Sequence, residues 1–279
     1  MPKNNIKFAF FGTPEIAVKT LDILKQNGLI PSVIVTAKDM PKGRKMIVTP
    51  PPVKVWAEKN NIPVLQPEKL DENFKRQLEN SLPRGEHCEL YVVVAYGKIF
   101  PEWLINIPGH GTLNIHYSLL PKYRGASPVQ SAILNGEEET GVTIQKMVKE
   151  LDAGPIISQE KTAIGRDEKT PELLMRLTMI GGELLSKILP DYAEGKIKPA
   201  EQDHLSATLC GKIKKEDGLI NLATELPSEN YNKFRAFFEW PRTYFFKGGK
   251  RIIITDAELR DGKFIIKKII PEGGKEINY

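Results

Sequence analysis

Asn114 and His116 stand two residues apart in the run Leu113-Asn114-Ile115-His116-Tyr117, and Asp152 sits in the tight segment Glu150-Leu151-Asp152-Ala153-Gly154-Pro155. In an extended chain, residues i and i+2 share a face, so the amide and the imidazole point the same way near the end of a strand. With a carboxylate added, these groups can move an acyl group onto an amine. The Asn114 N–H would stabilise the tetrahedral oxyanion, an interaction worth about 3–4 kcal/mol when such a donor is removed. His116 can take the proton of the attacking nitrogen or, once protonated, share the oxyanion. Asp152 would orient the imidazole and favour its cation. No Ser or Cys nucleophile is required, because an amine lone pair attacks directly. Each residue also has a plainer use: Asn and Asp serve turns, and a single His after a strand is often a hydrogen-bonded structural residue. Their combination is what points to chemistry.

The rest of the chain must position these three groups. At 279 residues, two domains are expected, and 41% hydrophobic with 27% charged residues is ordinary globular composition. The apolar run from Ile6 to Phe11 is too short for a signal segment or a membrane span. Cys88 and Cys210 match no metal-ligand spacing, so no metal site is expected, and two distant cysteines fit a reducing cytoplasm. A net charge of +5 permits a polyanionic partner without requiring one. Part of it is local: Lys38, Lys42, Arg44 and Lys45 crowd one segment, which a solvated loop would also explain.

Ile6 to Phe11 predicts a buried strand ending at Gly12-Thr13-Pro14, with Thr13 as helix cap and Pro14 in the first helical turn. Val33–Thr36 predicts a second strand. A basic loop over 37–52, a helix over 53–60 and a short strand over 63–65 follow. Glu89 to Ala95 is β-branched and continuous, as expected for the centre of a parallel sheet. Further strands are expected over Thr112–Ile115, 141–147 and 155–163, and a helix over 172–193. Alternating strands and helices argue a doubly wound, Rossmann-like α/β sheet, in which ligands bind outside the carboxyl ends of the strands. The turn after Phe11 lacks the later glycines of a dinucleotide fingerprint. The expected division is a catalytic domain over 1–194, a linker over 195–204 and a small β domain over 205–279. The last would contain a helix over 228–238 and about three strands.

The stretches Asn114-Ile115-His116, Ser118 to Pro128, Glu139-Thr140-Gly141-Val142-Thr143 and Leu151-Asp152-Ala153-Gly154 together resemble the folate-dependent formyltransferases. The start Phe10-Phe11-Gly12-Thr13-Pro14-Glu15, and Lys42-Gly43-Arg44-Lys45 followed by Pro51 to Ala57, resemble the branch of that family acting on a charged tRNA. The likeness spans roughly residues 6–245. It implies transfer of a formyl group from 10-formyltetrahydrofolate to the amino group of methionine on initiator tRNA. By the same resemblance, Asn114, His116 and Asp152 are the catalytic residues. Ser118, Leu119, Leu120 and Pro121 contact folate, and Val94, Ala95, Tyr96 and Gly97 line the pterin pocket. Lys42, Arg44 and Lys45 meet the tRNA acceptor end. A cytoplasmic protein, expected to be a monomer, follows, with no membrane partner. The family's C-terminal domain resembles an OB-fold, and the region after Ile254 reads as shortened, as though a hairpin were missing.

The site residues alone leave other readings open. A formyltransferase acting on a nucleotide-linked amino sugar would share the same triad, and Asp217-Gly218-Leu219-Ile220 also resembles that group. A hydrolase would put water in place of the amine. A non-catalytic RNA-binding module would keep the scaffold without the reaction. The basic Lys42–Lys45 segment favours tRNA.

Overall fold

The computed structural model describes residues 6–43 and 46–279, which divide into two compact units. The first holds residues up to His116 with Val142–Glu160 and Thr178–Leu205, and the second holds Tyr117–Gly141, Lys161–Leu177 and Ser206–Tyr279.

The first unit is organised by strands β1 (Phe8–Gly12), β2 (Val33–Val35), β5 (Val64–Leu65), β6 (Leu90–Val94) and β7 (Thr112–His116), with β9 (Glu139–Lys146) and β10 (Ile156–Ala163) completing the sheet. Its order is β10-β9-β7-β6-β1-β2-β5. From β1 the chain steps outward through β2 to β5, then returns to the other side for β6 and β7, all parallel. The order reverses between β1 and β6, and sheets of this kind bind ligands outside the carboxyl ends of the strands at such a point. Every residue of β1, β2 and β6 is buried, so these strands read as unbroken apolar runs and not as alternating ones. On one face Phe11, Tyr91, Tyr96, Phe100 and Phe74 form an aromatic cluster, Phe11 standing 4.9 Å from Phe100 and 5.3 Å from Tyr91 between ring centres. Edge-on and tilted contacts of this kind add to the burial of apolar area.

Helices α1 (Glu15–Gln26), α2 (Pro52–Lys59), α3 (Glu72–Asn80) and α4 (Glu102–Ile105) connect these strands. Helix α1 buries Ala17, Leu21 and Leu24 at helical spacing. Thr13 does not cap it: the position before Glu15 is Pro14, without a side-chain cap, and the Thr13 hydroxyl reaches the Tyr96 carbonyl at 3.4 Å. The expected basic loop is partly a hairpin, in which β3 (Met40–Lys42) pairs antiparallel with β4 (Ile47–Thr49). Arg44 and Lys45 lie outside the described residues.

The second unit holds β8 (Arg124–Gly125), α5 (Pro128–Leu134), β11 (Leu209–Cys210), α7 (Pro227–Ala236) and an antiparallel sheet ordered β12-β13-β14-β15. Its strands are β12 (Tyr244–Lys247), β13 (Lys250–Arg260), β14 (Lys263–Pro271) and β15 (Ile277–Asn278). The long helix α6 (Thr170–Ala193) has residues in both units. The sheet is larger than the three short strands expected from the sequence. Its second strand does not stop at Thr255: a register irregularity around Asp256 lets the pairing continue to Arg260, as a bulge does when one residue breaks the alternation. Ile220, Tyr231, Phe234, Phe245, Ile252, Ile254, Ala257 and Ile269 form the core between this sheet and α7.

Candidate active site

The site grows from the register of β7 against β9. Asn114 lies opposite Gln145, and His116 opposite Thr143, in an antiparallel pairing. Directly opposed residues share a face, so these four polar side chains stand together. The other face carries Ile115, Val142 and Ile144, all buried. There Gly181 of α6 lies so near that a Cβ would meet Ile115 at 2.9 Å and Val142 at 3.1 Å. A larger residue would push the helix off the strands that carry the site.

Asp152 arrives on the loop between β9 and β10, at φ +52°, a left-handed conformation that Asp tolerates better than most residues. Two contacts hold the loop in place. Gly154 packs against the Lys146 carbonyl so tightly that a Cβ would come within 1.8 Å of it. Gln202 donates from Nε2 to the Asp152 carbonyl at 2.9 Å and to the Gly154 carbonyl at 2.6 Å. Gln202 is itself held near the loop, because Ala200 and Ile156 exchange backbone hydrogen bonds of 2.8 and 2.7 Å.

His116 Nδ1 then stands 3.6 Å from Asp152 Oδ1, the two side chains 6% and 12% exposed. Shielded from water, the pair interacts more strongly than it would at the surface. The Asn114 amide is fixed at both ends: Nδ2 donates to the Val93 carbonyl at 3.2 Å, and Oδ1 accepts from Gln145 Nε2 at 3.4 Å. Its second N–H has no partner among the described residues. An amide donor, an imidazole and a carboxylate thus meet at the carboxyl end of β7, as a tetrahedral oxyanion and a proton shuttle require.

Around them, the stretch after β6 presents its residues unevenly. Ala95 and Gly97 are exposed and carry left-handed φ values of +48° and +83°. Val94 is fully buried. The Tyr96 ring packs on Phe11 and Phe100, its hydroxyl has no hydrogen-bond partner among the described residues, and burial pushes its phenol well above the ordinary range. Of the four residues Val94–Gly97, Ala95 and Gly97 are the exposed ones. Ser118 to Pro121 belong to the second unit and form a closed turn. The Ser118 hydroxyl donates to the Lys122 carbonyl at 2.6 Å, Lys122 N–H donates to the Leu119 carbonyl, and Leu120 is buried ahead of a cis peptide to Pro121. Lys42 is exposed on its hairpin beside a run of exposed apolar residues, Met40, Ile47 and Val48. Lys38 pairs with Glu68 and Lys54 with Asp39, so part of the positive charge nearby is compensated.

Gln145, Gln202 and Gly154 were not foreseen as parts of the site. Gln145 had a signal: along β9 the polar positions Thr143 and Gln145 alternate with apolar Val142 and Ile144, marking a face that is not core. Gln202 had none. Among the described residues, no cluster of three or more His, Cys, Asp or Glu side chains could hold a metal, and no helix is long and apolar enough to cross a membrane.

Residues 5–189 match the model of the formyl transferases, and residues 212–278 match that of the formyl transferase C-terminal domain. The methionyl-tRNA formyltransferase of Halalkalibacterium halodurans is 41% identical over 254 residues, covering 91% of this chain and 78% of the relative. That of Thermotoga maritima is 42% identical over 247 residues, covering 88% and 77%. Among solved structures, methionyl-tRNA formyltransferase from Clostridium thermocellum is similar with a TM-score of 0.63 at 18% identity, covering 98% of this chain and 100% of that one. A sugar 3N-formyl transferase, crystallised in the presence of dTDP and 5-N-formyl-THF, is similar with a TM-score of 0.68 at 21% identity, covering 99% and 97%. Both structural likenesses speak to the fold.

Proposed function

The chain belongs to the formyl transferase family, and from that premise we propose that it transfers the formyl group of 10-formyltetrahydrofolate to the amino group of methionyl initiator tRNA. The observation that carries the reading is the meeting of Asn114, His116 and Asp152 at the carboxyl end of β7, in a chain about 40% identical to methionyl-tRNA formyltransferases over most of its length.

In this reading the unpartnered Asn114 N–H faces the oxygen on which negative charge gathers as the amine attacks. A fixed donor there costs no reorganisation at the moment of reaction. His116 takes a proton from the attacking nitrogen and returns one to the departing nitrogen of the folate. Asp152 holds the imidazole and stabilises its cation while the proton is aboard.

Folate is co-substrate here. Val94, Ala95, Tyr96 and Gly97 are assigned to the pterin, with Ala95 and Gly97 exposed on the stretch that follows β6, and Ser118, Leu119, Leu120 and Pro121 are assigned as folate contacts. Lys42, Arg44 and Lys45 would meet acceptor-end phosphates, and the second unit's antiparallel sheet is the family's C-terminal domain acting on the same tRNA. Division into a catalytic domain (1–194), a linker (195–204) and a shortened OB-like domain (205–279), a cytoplasmic location and a monomer belong to the same proposal.

The test is formyl transfer from 10-formyltetrahydrofolate to methionyl initiator tRNA, with nucleotide-linked amino sugars as parallel acceptors. Transfer to the tRNA is expected. Transfer to the sugar alone would overturn the assigned acceptor while leaving the triad's chemistry intact.

A further inference from the structure

We infer that Gln145 is a positioning residue for this reaction, its side-chain amide holding the Asp152 carboxylate and the Asn114 amide in one arrangement. The inference rests on the catalytic reading of Asn114 and Asp152 given above.

Gln145 is 1% exposed and lies directly opposite Asn114 in the β7–β9 register. Its Nε2 stands 2.8 Å from Asp152 Oδ1 and 3.4 Å from Asn114 Oδ1. Both neighbours are oxygens, so the amide must present its nitrogen to them; reversed, it would set Oε1 against a carboxylate and a carbonyl. The Oε1 atom is buried without a hydrogen-bond partner among the described residues. The donor end of this side chain is therefore the end its surroundings use. A buried amide with an idle acceptor makes poor core, and an apolar side chain would fill the same place without that penalty.

Two consequences follow for the triad. With Oδ1 engaged by Gln145 and one Nδ2 hydrogen on Val93, Asn114 is locked with its remaining N–H outward. Without Gln145 the Val93 carbonyl alone would hold the Asn114 amide, and the outward N–H would lose its fixed direction. Gln145 also anchors the same Asp152 oxygen that faces His116 at 3.6 Å, so the carboxylate keeps one orientation toward the imidazole.

Gln145→Met removes both N–H donors with little change in volume. We expect kcat to fall about tenfold to a hundredfold, as when a reacting group loses its orientation, while KM for folate and for tRNA stays within about twofold. The variant is measured beside Asp152→Asn, Asn114→Ala and the double variant Gln145→Met/Asp152→Asn. Because part of the Gln145 effect runs through Asp152, the double variant should lose clearly less than the product of the two single losses. Full additivity of the two changes, or wild-type kcat in Gln145→Met while Asp152→Asn is impaired, would overturn the inference. Full activity in Asp152→Asn and Asn114→Ala would instead remove the catalytic reading beneath it. Should Gln145→Met fail to fold, Gln145→Glu keeps the shape and sets a second carboxyl against Asp152. Its kcat should also fall, and a wild-type value there would equally sink the idea.

Discussion

His116 Nδ1 lies 3.6 Å from Asp152 Oδ1, beyond hydrogen-bond length, while that oxygen lies 2.8 Å from Gln145. At that separation, with both side chains shielded from water, the carboxylate's charge acts on the imidazole. The arrangement favours an imidazolium formed during turnover. It also makes the two side chains proposed as catalytic sensitive to small movements of the Asp152 loop.

Removing the chemistry should leave the fold. Asn114→Ala is expected to lower turnover about a hundredfold to a thousandfold through loss of the oxyanion donor. His116→Ala should lose about a hundredfold or more through loss of proton transfer. Unchanged circular dichroism with near-normal steady-state rates in either variant would take that residue out of the mechanism.

Gly154→Ala should act at a distance from any reacting atom. The added Cβ would meet the Lys146 carbonyl at 1.8 Å, so the loop must shift and carry Asp152 with it. A displacement of about 1 Å can cost about a hundredfold in rate. We expect kcat to fall by about that much with the KM for folate little changed, and a wild-type rate would mean that the loop gives elsewhere.

The basic segment Lys42–Lys45 should report itself through salt. Replacing Lys42, Arg44 or Lys45 by Ala should weaken use of charged tRNA and lower the slope of log affinity against log salt by about one per lost phosphate contact. Folate binding, followed separately by equilibrium titration, should not change. Equal loss of both would mean that the segment supports the fold and not the tRNA.

Acid should weaken the second unit through Glu168. Burial alone would push its carboxyl up, but the Arg176 guanidinium, 2.7 Å away, and the Gly165 N–H outweigh it and hold it below its ordinary 4.5. A carboxyl depressed on folding contributes stability that is full above the unfolded value and lost as pH falls below it. Arg176 also reaches Thr162 and the Ala163 carbonyl. Arg176→Gln should therefore cost about 1–2 kcal/mol near neutrality, allowing for partial exposure. It should also flatten the loss of stability between pH 5 and 3. Urea titrations across that range would measure both, and parallel curves would assign Glu168 no role.

The central strands of the sheet were legible because their side chains are buried on both faces. Phe8–Gly12 and Leu90–Val94 are uninterrupted apolar runs, and such runs permit few structures. The amphipathic helix of residues 15–26 could be read for a similar reason. The paired strands Met40–Lys42 and Ile47–Thr49 could not, since their residues are mostly exposed and alternate in no useful way. The continuation of β13 past Thr255 was hidden because the irregularity at Asp256 breaks the period on which such readings depend. Thr13 looked like a helix cap by type and place, yet its hydroxyl lies by the Tyr96 carbonyl, 83 residues away.

By itself the sequence determined the sheet's buried strands, the pairing of Asn114 with His116 on one face, and the family to which the chain belongs. These depend on local spacing and residue type, which are written along the chain. Only the tertiary structure decided what surrounds the triad: Gln145 across from Asn114, Gly154 against Lys146, and Gln202 holding the Asp152 loop from fifty residues away. A glutamine carries no mark of where its amide will be needed. Its role follows from the β7–β9 register and from the path of the chain after α6, which are settled by the packing of the whole first unit.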